Sequence, residues 1–261
     1  MILEKIAAAT KLRVNQAKKK RPLEVVREQA LALPAASLPF EQALGRPGIS
    51  FICEVKKASP SKGLIAREFP YVQIAKDYEA AGAAAVSVLT EPFFFQGSDR
   101  YLTEISRNIS LPILRKDFTV DEYQLYEAKL IGADAILLIC ALLDTDTLRQ
   151  YLAICRTLGL SALVEAHTPE EIESALEAGA SIIGVNNRNL KTFQVDLSIS
   201  QELRTLVPSE ILFVAESGVH TAQDVAALST AQVDAILLGE ALMRSHDKAA
   251  KLADLREGIA V

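Results

Sequence analysis

The chain has 261 residues, half of them hydrophobic and 23% charged, which fits a globular protein with a sizeable core and excludes a disordered or fibrous chain. Its formal charge of −5 gives no whole-molecule attraction to nucleic acid, so an anionic ligand must be held by local lysines and arginines. No stretch reaches the roughly 18 apolar residues that span a bilayer, which argues against a membrane partner.

Residues 1–48 come first. Their beginning is basic and amphipathic and resembles a transit peptide, but Glu4 and the short apolar stretch weaken that reading. Leu3, Ile6, Ala7, Thr10 and Val14 recur at helical spacing, which predicts a docking helix. Two or three helices are expected before residue 49. They form an N-terminal extension too short to be a separate domain.

From residue 49 to 261 strands and helices alternate without a break. Apolar runs predict strands near 50–55, 84–89, 112–116, 135–140, 161–165, 182–186, 211–215 and 235–238. Helical segments lie between them, and one more is expected near 240–257. Three helices end in Ala-Gly-Ala or Ile-Gly-Ala with a strand directly after (AGAAAVSVL, IGADAILLI, AGASIIGVN), where glycine supplies a left-handed cap. In the related AQVDAILLG, valine is read as standing at the glycine position. Eight such units at about 25-residue spacing predict an α/β fold, a closed (β/α)8 TIM barrel. An open doubly wound sheet is the alternative, but no nucleotide fingerprint supports it.

Five predicted strands end abruptly in charged or polar residues: Glu54 and Lys56, Lys116, Glu165, Asn186 with Arg188, and Glu216 with Ser217. Barrel active sites lie at this end of the strands. Period-2 alternation turns Ile52, Glu54 and Lys56 inward and leaves Phe51, Cys53 and Val55 outside. It also puts Leu114 with Lys116, Leu163 with Glu165, and Ile182 and Gly184 with Asn186 and Arg188. In the seventh strand Phe213, Ala215 and Ser217 are assigned inward, which leaves Glu216 off-face unless the strand bends. The alternative is a set of ion pairs sealing the barrel end, but a buried lysine–glutamate network is a poor stabiliser.

Loops ESGV and LGEALM after the last two strands, with KKASPSKG after the first, carry Gly218, Gly239, Glu240, Ser59, Ser61 and Gly63. Such loops hold phosphate in many barrels. Cys53, Cys140 and Cys155 form no spaced pair, which implies a reducing compartment and a cytoplasmic address. Cys53 and Cys140 read as core residues within strands. No zinc, P-loop or dinucleotide motif is present.

These residues, in this order, resemble indole-3-glycerol phosphate synthase. The quoted runs are ILEKI, ICEVKKASPSKG, SVLTEPFFFQGS, LPILRKDF, YQLYEAKLIGADAILLI, ALVEAHTPEE, IIGVNNRNLKTFQVDL, FVAESGV and LLGEAL. Cys53, Lys57 and Asn189 depart from the usual pattern at positions given no chemical role. The resemblance implies ring closure, decarboxylation and dehydration of 1-(2-carboxyphenylamino)-1-deoxyribulose 5-phosphate, with no metal or organic cofactor. Lys116 is then the general acid, with burial or nearby cations expected to lower its pKa. Lys56 pairs a substrate anion or serves as acid in the dehydration. Glu165 is the base or the carboxylate that stabilises positive charge on the anilino nitrogen. Glu54 and Glu216 orient these groups, and Asn186 and Arg188 meet the substrate carboxylate or hydroxyls. Ser217, Gly218, Gly239, Glu240 and Ser59 meet the phosphate. Phe95, Leu114, Leu137 and Leu190 wall the aromatic ring, and Phe93, Phe94 and Phe95 together are candidates for its cap. The implied partner is this small molecule alone, with a monomer expected and association with other enzymes of tryptophan biosynthesis left open. A Schiff-base aldolase with Lys116 as nucleophile, a phosphoribosyl isomerase and a non-catalytic phosphate-binding barrel are the rival readings.

Overall fold

A computed structural model describes residues 2–189 and 192–259. Three helices come first: α1 (Ile2–Lys20), α2 (Leu23–Leu31) and α3 (Pro39–Leu44). Strand β1 (Ser50–Val55) opens the barrel. A small hairpin the sequence did not predict follows, made of β2 (Ala58–Ser59) and β3 (Gly63–Leu64). Then come α4 (Tyr71–Ala80), β4 (Ala85–Leu89), α5 (Asp99–Ser106), β5 (Ile113–Lys116), α6 (Tyr123–Ile131) and β6 (Ala135–Ile139). The second half holds α7 (Thr145–Leu158), β7 (Ser161–Ala166), α8 (Pro169–Ala178), β8 (Ile182–Asn186), α9 (Ser198–Arg204) and β9 (Leu212–Glu216). It closes with α10 (Ala222–Thr230), β10 (Ala235–Leu238), α11 (Glu240–Arg244) and α12 (Lys248–Arg256). The helix expected near 240–257 is thus two helices, broken at 245–247.

The eight long strands are all parallel and close on themselves in the order β1-β10-β9-β8-β7-β6-β5-β4. Alternation divides their side chains between two cores. Phe51, Cys53 and Val55 join the outer core under the helices. Ile52, Leu114, Leu137, Leu163, Ile182, Val214 and Leu237 fill the barrel, and Phe40 and Leu44 of α3 join this inner cluster. Closure leaves no exposed edge, and the helices bury the outer faces.

Strand β9 corrects the expected parity. Val214 lies inside, whereas Phe213 and Ala215 join the outer core. Phe213 is fully buried there beneath the Arg204 guanidinium, 5.6 Å from its ring centre. Glu216 therefore points into the barrel without any bend in the strand. Cys140 lies one residue past β6 rather than within it, and its thiol donates to the Glu171 carbonyl at 3.5 Å.

The repeated helix-to-strand corner also needs one correction. Gly82, Gly132 and Gly179 all have positive φ, as left-handed caps require. At the fourth corner this position is Gln232, not the valine, and its φ is 58°. A side chain there costs conformational energy that glycine avoids. Gln232→Gly should raise stability by about 0.5–1 kcal/mol in urea unfolding, once the greater freedom of the unfolded glycine chain is offset.

Candidate active site

The C-terminal ends of the strands converge on one cavity. Glu54, Lys56, Ser59, Phe95, Lys116, Leu137, Glu165, Asn186, Arg188, Glu216, Ser217, Gly218, Gly239 and Glu240 all line it. The sequence reading named each of them. Leu114 does not line it. That residue is fully buried beneath the floor, because β5 pairs Leu114 with Ala135, two residues below Leu137 on β6. Leu190 lies outside the described residues.

Two lysines face three nearly sealed carboxylates here. Glu54, Glu165 and Glu216 are 3%, 4% and 2% exposed. Lys116 Nζ lies 2.5 Å from Glu216 Oε2 and 3.5 Å from Glu165 Oε2, and Lys56 pairs with Glu54. Asn186 Nδ2 donates to Glu165 Oε2 at 3.5 Å.

This imbalance sets the proton inventory. Burial works against the Lys116 charge, but Glu216, Glu165 and Glu54 outweigh it and raise its pKa well above the ordinary lysine value. The expected lowering is therefore wrong, because carboxylates rather than cations surround the ammonium. Glu216 moves the other way from a simple ion-pair partner. Burial pushes its carboxyl up to about 7; Lys116 opposes this, and Glu165 and Glu54 reinforce it. One cation serves several anions, so the least well-solvated anion takes a proton.

Two glycines make room for this network. A Cβ on Gly184 would sit 2.5 Å from Glu216 Oε1, and a Cβ on Gly239 would sit 2.5 Å from Glu54 Oε1 and 2.8 Å from Lys56 Nζ. Beyond β9, Ser217 and Gly218 both have positive φ, 66° and 92°. The chain thereby leaves strand geometry and turns its backbone toward the mouth. Helix α11 starts at Glu240, directly after Gly239, as the loop sequence suggested. Lys62 Nζ from the hairpin loop reaches Glu240 at 3.5 Å.

Several lining residues were missed. Phe118 lines the cavity, and its ring centre lies 5.9 Å from that of Phe95. Extending the period-2 pattern from Leu114 and Lys116 would have found it. Ile2, Leu3 and Ile6 of α1 also line the mouth. The docking helix was legible, but its landing place was not. Of the three adjacent phenylalanines, Phe95 enters the cavity whereas Phe93 is 67% exposed. Buried Glu91 shapes this loop by accepting from the backbone N–H groups of Phe93, Phe94 and Phe95 at 3.0, 2.7 and 3.0 Å.

A family model described as indole-3-glycerol phosphate synthase matches residues 3–255. The chain belongs to that family. Proteins of this name from Ruminiclostridium cellulolyticum and Endomicrobium trichonymphae are 60% and 54% identical to it. Each match covers 98% of this chain, and 99% and 100% of the respective relative. Among solved structures, 3-hexulose-6-phosphate synthase from Salmonella typhimurium aligns with a TM-score of 0.67 at 13% identity. That match covers 80% of this chain and 98% of that one, and at such identity it supports the fold alone. The family assignment makes the chain a carboxy-lyase of tryptophan biosynthesis.

The close approach at Gly239 gives a test. In Gly239→Ala the clashing atoms are side-chain tips, so the fold should survive while the Lys56–Glu54 pair shifts. Turnover, kcat/KM, should fall by about 10–100-fold with an unchanged circular dichroism spectrum. Unchanged kinetics would show that the pair's placement is not critical.

Proposed function

We propose that the chain converts 1-(2-carboxyphenylamino)-1-deoxyribulose 5-phosphate to indole-3-glycerol phosphate through the two lysines and three glutamates of this cavity. The observation that carries the reading is the Lys116 ammonium held between Glu216 and Glu165 at the edge of a pocket walled by Phe95, Phe118 and Leu137.

The ring carbon that bears the carboxylate attacks the ketone, and Lys116 gives its proton to the ketone oxygen. A raised lysine pKa does not prevent this, since the alkoxide being formed is more basic still. Glu216, protonated to a large extent near neutrality, can return a proton to Lys116 across 2.5 Å. Positive charge builds on the anilino nitrogen, where Glu165 offers its carboxylate. Carbon dioxide then leaves with its bonding electrons returned to the ring. In the dehydration, Lys56 protonates the departing hydroxyl as water, and Glu165 accepts the proton released as the indole double bond forms. Glu54 holds Lys56 in place.

The substrate's anionic ends have counterparts along the rim. Ser59 and the backbone of Ser217–Gly218 and Gly239–Glu240 frame a phosphate position. Arg188 and Asn186 line the same cavity and are the groups assigned to the carboxylate; the Arg188 backbone N–H donates to Asn186 Oδ1 at 3.1 Å. Three free cysteines favour the cytoplasm. Among the described residues, no helix is long and apolar enough to cross a membrane.

The test is the appearance of indole fluorescence on adding the substrate, against the low background of a chain without tryptophan. Lys116→Met should lower the rate by at least about 100-fold. A folded protein that produces no fluorescence contradicts the reading.

A further inference from the structure

One titratable side chain beside the catalytic carboxylates has no part in these steps. His167 is the first residue after β7, two positions from Glu165. Its backbone N–H donates to Glu171 Oε2 at 2.7 Å. Its ring Nδ1 lies 3.5 Å from the same oxygen, and its Nε2 lies 3.6 Å from Glu165 Oε1. Nε2 is buried and has no hydrogen-bond partner among the described residues. We infer that His167, as an imidazolium between Glu171 and Glu165, is the positioning residue that fixes the Glu165 carboxylate.

The argument is one of donors and lone pairs. A neutral imidazole has a single N–H and a single lone pair. In either tautomer one ring nitrogen would turn its lone pair toward a carboxylate oxygen. Only the doubly protonated ring offers a donor to both. Burial opposes that charge, but the hydrogen bond to Glu171 and the charges of Glu165, Glu171 and Glu216 outweigh it, and the pKa rises above its usual value. The other groups nearby do not reverse this balance. Lys116 and Asn186 approach the opposite oxygen of Glu165, Oε2. Cys140, one residue past β6, keeps its proton because burial pushes its thiol up to about 12. Arg188 shares the adjoining cavity with His167 and Glu171.

Glu165 therefore has a cation on each oxygen. This matters at the step in which Lys116 gives up its proton. At that moment the charge on the Oε2 side passes from Lys116 to the anilino nitrogen, and a buried carboxylate without a second partner could turn as its counter-charge changes place. His167 keeps one counter-charge in place throughout. The inference rests on Glu165 being the carboxylate beside the reacting nitrogen, but the His167–Glu165 pairing can be measured without turnover.

His167→Gln keeps an amide donor and removes the charge. It should lower kcat about tenfold at pH 7 and leave KM within about twofold, since what is lost is one 3.6 Å ion pair between nearly buried groups that does not touch the substrate. The wild-type kcat should fall as pH rises through the raised imidazole pKa, and this alkaline limb should vanish in the variant. Independently, the chain has three histidines, so the His167 ring resonances can be assigned by their loss in His167→Gln. They should report a doubly protonated ring at pH 7 in the wild type and titrate at lower pH in Glu165→Gln. A ring neutral at pH 7, a titration unmoved by Glu165→Gln, or an unchanged pH profile in His167→Gln overturns the inference. A protein inert toward the substrate whose His167 titrates as expected supports the pairing and sinks the functional reading instead.

Discussion

The mouth of this barrel depends on one arrangement, a lysine ammonium sealed among carboxylates that outnumber their cations. Water would solvate these groups cheaply, but Glu54, Glu165 and Glu216 are almost fully buried. Lys116 cannot lose its proton easily with Glu216 and Glu165 against it, and Glu216 cannot stay fully ionised with Glu165 and Glu54 nearby. The excess of negative charge thus favours a proton on Glu216. Such a network is a poor way to hold a barrel together. It makes sense where a proton must be delivered and recovered within a dry pocket.

The closed sheet is what makes the arrangement possible. Parallel strands all point their C-terminal ends the same way, so residues far apart in sequence, such as Lys116 and Glu216, meet across the barrel. The inner apolar layer beneath them, with Leu114, Leu163 and Ile182, gives a rigid floor. The N-terminal helices serve opposite ends. Phe40 and Leu44 of α3 are fully buried in the inner cluster, whereas α1 brings Ile2, Leu3 and Ile6 to the mouth. Arg13 of α1 also reaches Asp117, the neighbour of Lys116, at 2.7 Å. The N-terminal extension thereby contributes to the apolar wall of the site.

Much of this was legible in the sequence, because abrupt charges at the ends of apolar runs have few explanations in a soluble core. Alternation placed Glu54, Lys116, Glu165 and Asn186 correctly. It failed at Glu216 because Phe213, Ala215 and Ser217 were assigned to the inner face, while the barrel puts Phe213 outside, under Arg204. The positive φ of Ser217 then brings consecutive residues to the same rim, which no simple period describes. Leu114 shows a second limit. Alternation gives the face of a side chain but not its height along the barrel axis, and height depends on inter-strand register. Glu91 and His167 carried no pattern at all, since each acts through contacts that only the folded loops create.

The central claim is that Glu216 holds a proton that an ordinary carboxylate would have released. A group whose folded pKa is raised stabilises the fold at low pH, and that stabilisation is lost as pH rises through the folded value. The window here runs from the ordinary carboxylate value, about 4.5, to about 7. The decisive measurement is unfolding free energy from urea titrations of the wild type and Glu216→Gln between pH 5 and 8. Glutamine mimics the protonated form, so the account predicts that the variant gains stability relative to the wild type as pH rises across this range. A stability difference that stays flat from pH 5 to 8 would show that Glu216 is an ordinary ion-pair partner and would contradict the account.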